Sequence, residues 1–146
     1  MKKIIAAALM LGMILTGCKS QSSMSYTFKV ETGDSVKVTL DTSGSEYKLT
    51  QSDGTFAVEE EETAVLQGVF LTEDMYDQYK AAAETAGAIV ETGDNGFILY
   101  EYEGAAGVEH NILTMISDSD TGVIIASLEE NDKVKEAYSK LKFEVE

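Results

Sequence analysis

The constraint that bears hardest on the fold of this chain is the shortness of its turns. From Tyr26 onward, runs of alternating apolar and polar residues are separated by brief segments rich in Gly, Asp, Asn and Ser. Strands joined so briefly must run antiparallel, because a parallel return needs a crossover of roughly a dozen residues or more. In YTFKVE, Tyr26, Phe28 and Val30 share one face, and Thr27, Lys29 and Glu31 share the other. Thr32-Gly33-Asp34 turns the chain into SVKVTLD, where Val36, Val38 and Leu40 alternate with polar neighbours. A second hairpin pairs EYKLTQ with TFAVEE around Ser52-Asp53-Gly54. Each hairpin is expected to bury one face and wet the other.

The run TAVLQGVFL, 63–71, is apolar on both faces and reads as a central strand covered on both sides. The period then becomes helical. Thr72 is placed as an N-cap, Glu73 and Asp74 lie in the first turn, and Met75, Tyr79, Ala82, Ala83 and Ala86 form one stripe. Gly87 suits the C′ position. Strands follow at 88–91, 97–103, 110–117 and 123–128, with a turn at Asn95-Gly96 and a small-residue loop at 104–107. A final helix carries Val134, Ala137, Tyr138 and Leu141 on one face, with Ser127 and Glu130 as a capping box or Asn131 as a rival cap. Phe143 and Val145 are expected to pack the tail down. The expected class is α+β: an antiparallel sheet of about six to eight strands with two amphipathic helices packed on it, in a single domain over 26–146.

Ahead of this domain, Lys2 and Lys3 precede an uncharged run from Ile4 to Leu15, and Leu15-Thr16-Gly17-Cys18 follows. The apolar run is too short to span a bilayer as a stable helix and has the layout of a secretory signal. Leu15, Thr16, Gly17 and Cys18 resemble the lipobox of bacterial lipoprotein precursors. The resemblance implies a signal peptide over 1–17, a diacylglyceryl group on the Cys18 thiol, and cleavage before Cys18. It places the protein on the outer side of the cell membrane, in the cell envelope. Residues 18–25 then read as a polar tether. Cys18 is the chain's single cysteine, so no internal disulfide is open to it. The stretch NILTMISDSDTGVIIASLEENDKVKEAYSKLKF, within 68–143, resembles small extracytoplasmic lipoproteins of the PsbP-like/DcrB-like type in its order of elements. That resemblance implies a binding or assembly module.

Charge narrows the partners. The chain holds 26 Asp and Glu against 11 basic residues, all of them lysine, for a formal charge of −15. Such a balance argues against nucleic acid and against anionic headgroups. It fits solubility, or a cationic ligand. Catalytic constellations are sparse. His110 is the only histidine and no G-x-S-x-G elbow accompanies it. It is expected to make a structural hydrogen bond or to face water. Glu59 to Glu62 reads as a solvated strand end, since alternate strand residues point to opposite faces. Asp118 to Gly122 begins like a calcium loop but places its glycine one residue early, so a hairpin turn is expected. Tyr76, Tyr79, Tyr100 and Tyr102 are available to line a pocket, although packing on a sheet face is the commoner use. No cofactor or metal is expected. The reading is a lipid-anchored, non-catalytic binding module with an envelope protein as a candidate partner. The alternatives are an immunity or inhibitor protein acting on a basic partner and, third, an envelope-acting hydrolase.

Overall fold

The computed structural model describes residues 22–93 and 96–146. Leu15, Thr16, Gly17 and Cys18 lie outside the described residues, as does Asn95 of the expected Asn-Gly turn. Among the described residues, ten strands and two helices follow one another as β1 (Ser23–Lys29), β2 (Ser35–Asp41), β3 (Tyr47–Ser52), β4 (Thr55–Glu60), β5 (Thr63–Thr72), α1 (Glu73–Thr85), β6 (Ile89–Thr92), β7 (Ile98–Gly104), β8 (Gly107–Met115), β9 (Thr121–Ser127), α2 (Asn131–Ser139) and β10 (Leu141–Val145). The class is α+β, as the turn lengths require, and every strand pair is antiparallel.

The strands divide between two sheets. Seven form one sheet in the order β3-β4-β5-β9-β8-β7-β6, and three form another in the order β1-β2-β10. The tail that carries Phe143 and Val145 is thus a strand, paired with β2 from Leu141↔Leu40 to Val145↔Val36. β1 begins at Ser23, inside the segment 18–25 read as a tether, and Met24 packs against the core. The small sheet and α2 cover one face of the large sheet. Val36, Val38 and Leu40 of β2 meet Leu49, Phe56, Val58, Leu66, Ile112 and Ile125 of the large sheet, with Val134 and Ala137 of α2 beside them. All of these are essentially inaccessible to solvent. Each such side chain contributes roughly 1.5–3 kcal/mol by leaving water. Between Val58 and Glu59 the register of β4 and β5 shifts by one, which turns both Val65 and Leu66 of β5 into this core.

α1 packs on the opposite face, and its ends follow the sequence. The Thr72 hydroxyl accepts a hydrogen bond from the Met75 N–H at 3.3 Å. At the other end the Ala88 N–H donates to Ala83 O, the Gly87 N–H donates to Glu84 O, and Gly87 sits at φ +65°. That pair of bonds is a Schellman motif, whose left-handed residue is easiest for glycine. The apolar stripe is rotated from the expected one, because Tyr76 and Ala83 pack against the sheet while Met75 and Tyr79 are each 40% exposed.

The second helix departs from its expected cap. Glu130 is the N-cap, and its side chain makes no capping hydrogen bond. The Ser127 hydroxyl is engaged elsewhere, donating to Val65 O at 2.6 Å, and Asn131 is already inside the helix with its Oδ1 buried and unpaired among the described residues. Glu130→Asp shortens the side chain to capping length. It is expected to raise the unfolding free energy by about 1 kcal/mol, read from a urea titration with unchanged slope.

Candidate ligand-binding groove

Strand alternation sorts the large sheet's residues between its two faces. On the α1 face, β5 presents Gln67, Val69 and Leu71, β9 presents Ile124 and Ala126, β8 presents Glu109, Asn111 and Leu113, and β7 presents Ile98, Tyr100 and Tyr102. The register places Gln67, Ala126, Asn111, Tyr100 and Ile89 in one row across five strands. One step further along β8 and β7, Glu109 stands opposite Tyr102.

α1 closes one end of this face and leaves the other open. Its N-terminal part comes close because Gly122 has no side chain: a methyl there would lie 3.2 Å from Tyr76 Cβ and 3.3 Å from Met115 Sδ. Its later turns carry Ala82, Ala83 and Ala86, which are too short to fill the space below. The result is a groove of about 560 Å³ between helix and sheet. The volume falls within the roughly 300–1,000 Å³ range of small-molecule sites. Val69, Ile124, Ala126 and the alanines of α1 make it apolar, and Tyr79, Tyr100 and Tyr102 border it. A recess of about 200 Å³, reaching Ala64 and Leu128, shares Gln67, Glu109 and Ala126 with it. β5 is therefore a central strand covered fully on one face only, and Val69 on the other is 44% exposed. Leu128, expected within the last strand of the sheet, lies beyond β9 and is 62% exposed.

Two polar groups stand out in this apolar setting. The Asn111 side chain is 5% exposed and borders the groove. It has no side-chain hydrogen bond among the described residues. Its amide is not one of the buried side-chain groups left unpaired among the described residues, which are Ser45 Oγ, Gln51 Oε1 and Asn131 Oδ1, so it meets solvent in the groove and is open to a polar ligand atom. Tyr100 is 8% exposed, and burial, helped by neighbouring Tyr79 and Glu109, pushes its phenol up to about 12. Tyr47, in the main core, reaches about 12 through burial and the hydrogen bond it donates to Glu136.

Both phenols hold their protons above the ordinary value of 10.0. The folded chain thus retains protons that the unfolded chain sheds. Their contribution to stability is whole below about pH 10 and is lost as pH rises toward about 12. A spectrophotometric titration is expected to show Tyr47 and Tyr100 ionising last among the seven tyrosines, with unfolding at the same alkaline end.

The other sequence candidates do not join the groove. His110 lies on the opposite face of the sheet from Glu109 and Asn111. Its Nδ1–H donates to Glu129 O at 2.6 Å, and its Nε2 is 3.7 Å from Glu101 Oε1. Ser127 stands opposite it in the register, but the Ser127 proton is committed to Val65 O. His110 thus makes the structural bond expected of it. Glu59 and Glu60 end β4 and bond to Thr50 and Lys133, while Glu61 and Glu62 make the turn at φ +51° and +66°. Asp118 also lies in a turn, at φ +62°. Among the described residues no group of three or more His, Cys, Asp or Glu could hold a metal ion.

Of the four tyrosines named from sequence, Tyr79, Tyr100 and Tyr102 border the groove, whereas Tyr76 packs between α1 and the sheet. Sequence reading passed over Glu109 and Asn111. Their signal lies in the alternation of β8, where Leu113 and Met115 are followed on the same face, toward the N-terminus, by two polar residues. No protein-family model, curated protein or solved structure matches the chain.

Proposed function

We propose that this chain is a lipid-anchored extracytoplasmic binding module, without catalysis, whose groove beneath α1 takes a small ligand with an apolar body. The observation that carries the reading is the groove itself: about 560 Å³, with apolar walls and the Asn111 amide open at its floor. A core that needed only packing would be served better by a larger residue at Ala126 and a leucine at Asn111. Ala126 and the alanines of α1 keep the space open at the cost of buried apolar contact. The anchor follows from the likeness of Leu15 to Cys18 to a lipobox. Among the described residues, no helix is long and apolar enough to cross a membrane.

The test is photolabelling of the full chain in zwitterionic lipid nanodiscs with an aryl-diazirine alcohol. The expected adducts fall on α1, β7 and β8 and are competed by phenylbutanol. Ala126→Phe from the sheet side, or Ala86→Phe from the helix side, is expected to abolish them while leaving the thermal midpoint within a few degrees. Adducts spread over the surface, or undiminished in both variants, would show that the groove is not a ligand site.

A further inference from the structure

The chemistry at the open end of the groove specifies the ligand's head. Glu109 faces Tyr102 and Asn111 faces Tyr100 across β8 and β7. Cross-strand neighbours are about 5 Å apart and same-face neighbours along a strand about 7 Å apart. One carboxylate, one carboxamide and two phenol rings therefore share a patch about the size of a substituted ammonium group. A methyl at Gly104 would lie 3.2 Å from Glu109 Oε2 and 3.5 Å from Tyr102 Cε1, so both side chains border the space over this glycine.

Glu109 is half-buried and enters none of the chain's ion pairs among the described residues, which join Glu101, Glu60, Glu91 and Glu144 to His110 and three lysines. Among the described residues, no lysine borders the groove. An anionic ligand would meet Glu109 in a chain of formal charge −15. A neutral one would leave that carboxylate half-buried and unpaired. A divalent metal ion would want about six or more oxygen ligands; Glu101 also borders the groove but its carboxylate is 3.7 Å from His110, and among the described residues no group of three or more His, Cys, Asp or Glu could hold a metal. Aromatic faces and a carboxylate together favour an organic cation. Asn111, 5% exposed and without a side-chain hydrogen bond among the described residues, borders the same groove and offers its amide to a polar group there.

We infer that the groove binds an organic ammonium ion, its charged head against Glu109, Asn111, Tyr100 and Tyr102 and its apolar body lying along Ala126 and Ile124 beneath α1. The inference rests on the groove being a ligand site, and the experiment separates the two. The full chain in zwitterionic nanodiscs is titrated calorimetrically with phenylbutylammonium, phenylbutanol and phenylbutanoate, with empty nanodiscs as reference. These probes share one body and differ in the charge of the head. The ammonium is expected to bind about tenfold more tightly than the alcohol, and the carboxylate most weakly. Glu109→Gln should cut the preference for the ammonium over the alcohol from about tenfold to about threefold, and Tyr102→Leu should weaken the ammonium alone by about threefold. Equal or tighter binding of the alcohol to the wild-type chain, or a preference undiminished by Glu109→Gln, overturns the ammonium assignment. Alcohol binding that Ala126→Phe abolishes would still leave the groove standing. Failure of all three probes to bind overturns both readings.

Discussion

Phe56→Ala is expected to lower the unfolding free energy by about 3–5 kcal/mol, the range for removing a large aromatic from a packed core. Phe56 is 2% exposed on β4, and its ring is the meeting point of the two sheets. Its centroid is 6.3 Å from that of Phe28 on β1, 5.6 Å from Phe70 on β5 and 5.7 Å from Phe143 on β10. Its removal opens a cavity that backbone from both sheets surrounds and cannot readily collapse into. The ring also lies directly over Gly68, where a methyl would come within 2.1 Å of Phe56 Cζ. Gly68→Ala alone should therefore cost about 1–3 kcal/mol by overpacking.

In the Phe56→Ala background the same methyl enters the vacated space. The double variant should then be more stable than the sum of the two losses predicts, by about 1–3 kcal/mol. Urea titrations of the four chains measure that coupling. Additivity within about 0.5 kcal/mol would show that ring and glycine are not in contact.

The same glycine shows why some of this fold can be read from sequence and some cannot. Local rules serve where one segment decides the outcome. Thr72, Glu73, Asp74 and Gly87 bound α1 because caps and the helix dipole act within a turn or two. Hairpins appear as alternating runs because pleat and turn are local as well. Partition of the strands between two sheets is not local. β2 accepts β10 a hundred residues later, through a pairing that leaves no mark in LKFEV beyond alternation. The tether shrinks for a similar reason, since Met24 reads as polar-linker sequence until β2 gives it a partner. The groove was half visible. Three tyrosines could be named, but their use depends on α1 being held close at Gly122 and standing clear above Ala126, which is a matter of depth between layers. The departure of Glu109 and Asn111 from the apolar pattern of β8 was legible, and only the cross-strand register turns it into a site. His110 was legible in the other direction, because a lone histidine in a strand most readily finds a backbone carbonyl.

Cys18→Ser is expected to reduce incorporation of labelled palmitate to background and to leave the first 17 residues on the chain, both read from the mass of the N-terminal peptide. The size of the effect follows from the chemistry of the anchor. Each buried methylene contributes about 0.8 kcal/mol, so two acyl chains hold a domain that one would hold only marginally. A hydroxyl in place of the thiol is a far weaker nucleophile near neutral pH and supplies no thioether for the diacylglyceryl group. The unprocessed chain then keeps only the run from Ile4 to Leu15, about 18 Å as a helix against a hydrocarbon core of about 30 Å. With the proposed processing, five residues from Cys18 to Ser22 would precede β1, a reach of at most about 18 Å when extended. Under the proposed anchor, an acidic domain tied that short to the bilayer gains nothing from anionic headgroups, and the lipid carries the attachment. Palmitate carried equally by the Cys18→Ser chain would place the anchor elsewhere. A wild-type peptide of unlipidated mass would remove it.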